Sequence, residues 1–152
     1  MESAPAIGRD EAAALLRSVA DAARTGVVLA VSGGPDSTAL MGLVADTAAE
    51  YCGRILVATV DHGLRPASAD EAQAVARLAE RFGLPHRILV WSSEKPASRI
   101  QERAREARYG LLAEAAQTIG ARHIVTAHTL DDQAETILMR LLRGPAQRAS
   151  PA

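Results

Sequence analysis

The sequence is poor in cysteine, lysine and aromatic residues, and each shortage removes a class of function. Cys52 is the only cysteine, which excludes an internal disulfide and any two-cysteine redox or zinc site within one copy. Lys95 is the only lysine among 17 basic residues, so the basic side chains are nearly all arginines; their planar forks can hold phosphates, but codon bias, with Ala and Arg both abundant, is the leading reading of the excess. The four aromatics, Tyr51, Phe82, Trp91 and Tyr109, are scattered. They read as packing residues, because no strip of interleaved aromatic and basic side chains marks a surface for stacking bases. No run reaches the roughly 18 apolar residues of a membrane span, and residues 1–9 lack the pattern of a signal peptide. A cytoplasmic location without membrane contact is expected. A net charge of -1 supplies no overall basic field for nucleic acid, so partners must be read from local sites.

With 152 residues and 48% hydrophobic content, the chain has material for one domain with a real core. Short β-branched runs at 27–32, 54–60, 86–91 and 122–127 alternate with helical patterns at 10–23, 37–50, 68–82, 98–119 and 130–143. That alternation predicts an α/β fold with a parallel sheet covered by helices on both faces. Ser68-Ala69-Asp70-Glu71 and Ser98-Arg99-Ile100-Gln101 read as capping boxes opening the third and fourth helices. The domain is expected over 1–144, with a disordered Pro- and Ala-rich tail at 145–152.

In open parallel sheets ligands bind beyond the carboxyl ends of the strands, and these ends are polar here. The first strand runs into Ser32-Gly33-Gly34-Pro35-Asp36-Ser37-Thr38. Two glycines let the backbone turn tightly, the following helix offers its positive end, and Ser32, Ser37 and Thr38 add hydroxyl donors, which together suit a phosphate. The alternative is an ordinary turn with Asp36 or Ser37 as N-cap. A Walker A loop fails for want of a nearby lysine, and the Gly-x-Gly-x-x-Gly fingerprint fails at its third glycine. What remains resembles the Ser-Gly-Gly-x-Asp-Ser motif of PP-loop ATPases.

Asp36 would repel a polyphosphate unless a magnesium ion bridges both, and Asp132 is the natural second carboxylate. Capping of the last helix is the alternative for Asp131 and Asp132. In the helix from Ser98, Ile100, Ala104, Ala107, Leu111, Ala115 and Ile119 recur at helical spacing, and Arg108 falls near the edge of that apolar arc. A cation there needs a partner: a phosphate, a salt bridge or a snorkelling stem. His62 and His128 each follow a strand directly, in one candidate crevice, either as structural residues or as part of the site.

Three further blocks narrow the resemblance. Val60-Asp61-His62-Gly63-Leu64-Arg65, Arg105-Glu106-Ala107-Arg108-Tyr109 and Ala127-His128-Thr129-Leu130-Asp131-Asp132-Gln133-Ala134-Glu135-Thr136 look like blocks of the tRNA(Ile)-lysidine synthetase family, in the family's order, over about 27–144. The resemblance implies an adenine-nucleotide α-hydrolase fold with strand order 3-2-1-4-5. It also implies adenylation of the wobble cytidine of tRNA(Ile) with ATP and magnesium, followed by displacement of AMP by free lysine. Matched by position, it implies that Ser32, Gly33, Gly34, Asp36 and Ser37 hold ATP, with Asp36 and Asp132 as magnesium and catalytic carboxylates. Arg108 and His128 would serve catalysis, while Val31, Asp61 and His62 would lie near the adenosine or at the crevice rim. Family members continue past the last helix into further domains, so complete lysidine synthesis is expected of a longer protein than this one. Other PP-loop enzymes, acting in tRNA thiolation or as amidotransferase-linked synthetases, remain alternatives, as does a nucleotide-binding module without turnover.

Overall fold

The computed structural model describes residues 8–47, 54–130 and 133–141. Two short helices, α1 (Arg9–Leu15) and α2 (Arg17–Ala23), lead into β1 (Val27–Ala30) and α3 (Pro35–Thr47). After them come β2 (Ile55–Asp61), α4 (Ser68–Arg81), β3 (His86–Val90), α5 (Ile100–Ile119), β4 (His123–Leu130) and β5 (Gln133–Leu141). The sheet order is β3-β2-β1-β4-β5. The first four strands in that order are parallel, with Ala30 level with Ala58 on one side and Thr126 on the other.

All four residues of β1 are buried, because helices cover both sheet faces. Alternation sends Val27, Leu29 and Val31 into a core shared with Leu16 and Val19 of the N-terminal helices, Met41 and Val44 of α3, and Val75 and Ala79 of α4. Val28 and Ala30 face the other way, against Leu112 and Ala116 of α5. That second face has small residues at Ala30, Ala58 and Ala116, which lets the single helix α5 lie close to the sheet. Burying the Leu112 side chain there contributes about 1.5–3 kcal/mol.

The four predicted strands and the helices between them are present, with several local differences. The helix expected over 10–23 is divided at Leu16, whose ψ of 4° leaves the helical range while its side chain stays buried. Neither capping box forms: the N-cap positions are Ala67 for α4 and Arg99 for α5, and neither makes a side-chain cap hydrogen bond. Gly120, with φ of 67°, ends α5 where the sequence predicted a stop.

The helix expected over 130–143 is not formed; Gln133–Leu141 is instead a strand antiparallel to β4. Ala134, Ile137, Leu138 and Leu141 recur at helical spacing, so the local pattern favours a helix and the sheet edge overrides it. Only two positions separate β4 from β5, too few for the crossover of a dozen or more residues that a parallel neighbour requires. The segment therefore folds back along the edge of β4. Residues 131–132 and the expected tail at 145–152 lie outside the described residues, as does Cys52.

Candidate functional site

The first loop is organised by its own short side chains. Val31 extends the ladder by one bond, donating its N–H to the Ala58 carbonyl at 2.9 Å, and its side chain is buried in the core. Ser37 is also buried, and its hydroxyl donates to the Gly34 carbonyl at 3.2 Å while accepting the Ser32 N–H at 3.2 Å. The Ser32 and Ser37 hydroxyl oxygens are 3.2 Å apart. Gly33 has φ of +94°, and a Cβ added there would meet Val75 Cγ2 at 3.2 Å; both the dihedral and the space call for glycine.

Helix α3 begins at Pro35, and Thr38 donates the first helical bond to the Gly34 carbonyl at 3.0 Å. Gly34 thus stands at the N-cap position and Pro35 at N1, where its fixed φ and missing N–H suit a helix start. Neither Asp36 nor Ser37 is the cap. The N–H groups of Asp36 and Ser37, in the first turn of α3, have no intrahelical acceptor by geometry, which gives the loop an anion-binding character.

A cavity of about 800 Å³ opens beside this loop, at the carboxyl ends of β1 and β2. Of the residues singled out from the sequence, Ser32, Gly33, Gly34, Thr38 and His62 line it. Val31 and Ser37 are buried beneath the loop, and Asp36 is exposed on the first turn of α3. The Asp61 carboxylate turns to its own chain, accepting the Gly63 N–H at 3.0 Å and the Ser68 hydroxyl at 2.6 Å. His128 is on β4, where the pairing with β5 shifts register between Ala127 and Thr129; its side chain and Asp132 lie outside what the structure describes.

Sequence reasoning missed the far wall. Helix α4 contributes Ala72, Val75 and Leu78 as an apolar surface, with Ser68 and Glu71 at the mouth. Their spacing marks the inner face of an amphipathic helix but does not separate core from cavity wall. Thr59, buried on β2, also faces the cavity, and its Oγ1 lies 2.8 Å from His86 Nε2. Gln101 and Ala104 of α5 close another side.

Arg108 is more unusual than its wheel position suggested. The buried residues of α5 are Ala104, Leu112, Ala115 and Ala116, whereas Ala107 and Leu111 are half-buried. Arg108 therefore stands in the row 104, 108, 112, 116 at the centre of the stripe instead of at its edge. Among the described residues no carboxylate forms an ion pair with it. Its charge is felt by His62, whose pKa is held below the usual range first by burial and then by Arg108, with Arg65 and Lys95 adding to the effect and Asp61 opposing it. These effects favour the uncharged form of His62, and its buried Nδ1 has no hydrogen-bond partner among the described residues. Lys95 is occupied locally, donating to the carbonyls of Trp91 and Ser93 with its ammonium 4.0 Å above the Trp91 ring.

The site thus combines a glycine turn, a helix start, hydroxyls and a cationic flank around a neutral histidine, a set of features suited to a polyanion with an apolar part. Among the described residues no three His, Cys, Asp or Glu side chains cluster to hold a metal ion. Asp36 stands exposed in the first turn of α3, directly after the loop, and a carboxylate there suits a hard cation carried mainly by phosphate oxygens.

The PP-loop domain family model matches residues 9–150, and the chain belongs to that family. It is 59% identical over 144 residues to the tRNA(Ile)-lysidine synthase of Methylobacterium nodulans, covering 94% of this chain and 42% of that protein. The enzyme of the same name from Methylobacterium sp. is 66% identical over 119 residues, covering 78% of this chain and 34% of its own length. The chain therefore spans between about a third and two-fifths of these curated relatives. Among solved structures, the U34-tRNA thiolase NcsA from Methanococcus maripaludis aligns with a TM-score of 0.69 at 17% identity, covering 82% of this chain and 45% of the thiolase. The glutamine-dependent NAD+ synthetase from Acinetobacter baumannii aligns at 0.55 and 22% identity, covering 82% of this chain and 26% of that one. These structural likenesses establish a shared fold. No described helix is long and apolar enough to cross a membrane.

Proposed function

We propose that this chain is the ATP-binding part of a cytoplasmic ligase that joins free lysine to the wobble cytidine in the anticodon of tRNA(Ile), forming a carbon–nitrogen bond. The observation that carries the reading is the coincidence of two features. The 32–38 loop walls an 800 Å³ cavity, and relatives 59% identical over 144 residues and 66% identical over 119 residues are tRNA(Ile)-lysidine synthases.

In this reading the domain occupies 1–144. The phosphates rest against the backbone of Ser32, Gly33 and Gly34 and the Thr38 hydroxyl. Ser37 holds that backbone in shape from below, and Val31 supports it from the core. The apolar wall of α4 takes the adenosine, with Asp61 and His62 at its rim. Asp36 and Asp132 hold magnesium, which neutralises phosphate charge when bound. Arg108 stabilises charge that develops on the phosphate as the cytidine displaces pyrophosphate, and His128 acts beside it. Lysine then displaces AMP. Neutral His62 contacts the nucleotide through an uncharged hydrogen bond.

Two measurements test this. Calorimetric titration of this chain with ATP and magnesium is expected to show binding at a single site. The corresponding full-length protein is expected to incorporate radiolabelled lysine into tRNA(Ile), releasing one AMP and one pyrophosphate per lysine; binding without incorporation would leave only a nucleotide-binding module.

A further inference from the structure

The start of α4 has the residues of a capping box and does not use them as one. Ser68 and Glu71 stand three apart at the helix start, where the serine hydroxyl would accept a first-turn N–H and the glutamate would reach back to the chain before it. Instead Ser68 donates its hydroxyl to Asp61 at 2.6 Å, and Glu71 accepts Arg65 Nη2 at 2.8 Å. No side chain caps the helix. A cap of this kind stabilises a helix by roughly 0.5–2 kcal/mol, so the interactions replacing it forgo a real local gain.

What the diverted side chains hold is the 62–67 loop. Asp61, the last residue of β2, receives both the Ser68 hydroxyl and the Gly63 N–H on the same oxygen, Oδ1. Gly63 takes φ of +63° at that point. Arg65, in the middle of the loop, is tied to Glu71 one turn into α4. The loop is thus fastened at its start and at its middle to one helix, and between those fastenings it carries His62, Leu64 and Arg65 into the cavity wall. The Ser68 hydrogen bond is also the main reason the Asp61 carboxyl lies below the usual aspartate range, followed by the Gly63 N–H.

We propose that Ser68 and Asp61, supported by Arg65 and Glu71, form a brace that sets the 62–67 loop against the nucleotide cavity, with Ser68 as a positioning residue and Asp61 holding the loop instead of touching the ligand. This rests on the reading of the cavity as a nucleotide site. The exchange of a helix cap for a loop clamp is its physical basis: the first turn of α4 relinquishes side-chain capping so that the wall carrying His62 keeps one shape.

The test is Ser68→Ala in the 152-residue chain, with Ser68→Thr as the rescue and Asp61→Asn as an independent break. Alanine favours helix and offsets part of the lost Asp61 hydrogen bond, so Ser68→Ala is expected to fold and to unfold at a moderately lower temperature than the wild type. Its Asp61 carboxyl, followed by carbon NMR, is expected to titrate nearer the usual aspartate range, its Gly63 amide to exchange faster, and its affinity for ATP with magnesium to fall about tenfold, because binding must then order a loosened loop. Ser68→Thr should restore all three, and Asp61→Asn should reproduce the faster exchange and weaker binding. Wild-type ATP affinity in Ser68→Ala together with unchanged Gly63 exchange would overturn the brace. If the wild-type chain bound no ATP, the nucleotide reading would fall, and the Asp61 and Gly63 signals would decide the brace without it.

Discussion

The loops after β1 and β2 face the same cavity, each tied to the helix that follows it, and they differ in what ties them. The first is held by atoms within five residues of one another, chiefly the Ser32, Gly34 and Ser37 contacts. The second is held by side chains that reach to a neighbouring helix, Asp61 to Ser68 and Arg65 to Glu71. A loop closed on itself presents backbone N–H groups in a fixed array, which suits a ligand group that never varies, such as a phosphate. A loop clamped by side chains presents other side chains, and its shape depends on what the clamping helix offers. In the proposed reading the first loop would hold the phosphate of any nucleotide, and the second would distinguish what that phosphate is attached to.

Breaking the first loop should have the largest effect. Gly33→Ala puts a Cβ 3.2 Å from Val75 Cγ2 at φ of +94°, and the strain is expected to cost about 1–3 kcal/mol of stability, read by urea unfolding, with ATP binding weakened beyond tenfold. Adding Val75→Ala relieves the contact but not the dihedral, so the double variant should recover only part of the loss. Recovery to wild type would show that crowding alone, and not backbone conformation, makes this position a glycine.

Ser37→Ala removes a buried hydroxyl that ties Ser32 to Gly34. A loss of roughly 1–2 kcal/mol in thermal unfolding is expected. Arg108→Met tests the flank instead. With the largest charge acting on His62 removed, the His62 pKa measured by proton NMR should rise, while the fold persists because methionine keeps the apolar stem. An unmoved His62 pKa would detach Arg108 from the site.

A smaller effect is expected from pH. His62 and His86 both titrate below the usual range, each chiefly because of burial, so the folded chain binds fewer protons than the unfolded one. Stability is then fully present above the ordinary histidine pKa of about 6.5 and declines as pH falls from there toward the folded values. Urea midpoints at pH 7.5 and 5.5 should show the decline, and His62→Gln should flatten part of it. The smallest change is expected at the exposed Arg65–Glu71 pair. Glu71→Gln should alter stability by less than about 1 kcal/mol, so any larger loss of ATP affinity would belong to the shape of the second loop.

Much of this was legible beforehand because it is local. The turn at Gly33 and Gly34 follows from residue types adjacent in the chain, as do the stop at Gly120 and the apolar runs that became β1 to β4. Phe82 and the capping residues were misread for the converse reason. Phe82, expected to pack, is 40% exposed at the end of α4, and Ser68 and Glu71 chose partners across the loop over partners in their own helix. A capping box and a loop clamp use the same side chains, and only the position of Asp61 and Arg65 in space selects between them. The strand at Gln133–Leu141 was missed because its apolar spacing and its Gln, Ala, Glu, Leu, Met and Arg content favour a helix, a local preference that pairing with the free edge of β4 overrides.

By itself, then, the sequence determined the parallel α/β order, the phosphate-type loop and its distinction from lysine-bearing and dinucleotide loops, since each is settled by period, glycine placement and neighbours along the chain. The tertiary structure alone decided the far wall of the cavity, the placement of Arg108 at the centre of its helix stripe and the use of Ser68 and Glu71 as clamps. The far wall and the surroundings of Arg108 depend on which side chains meet across elements tens of residues apart, and the clamps on partners only six and seven residues away whose positions the path of the loop decides.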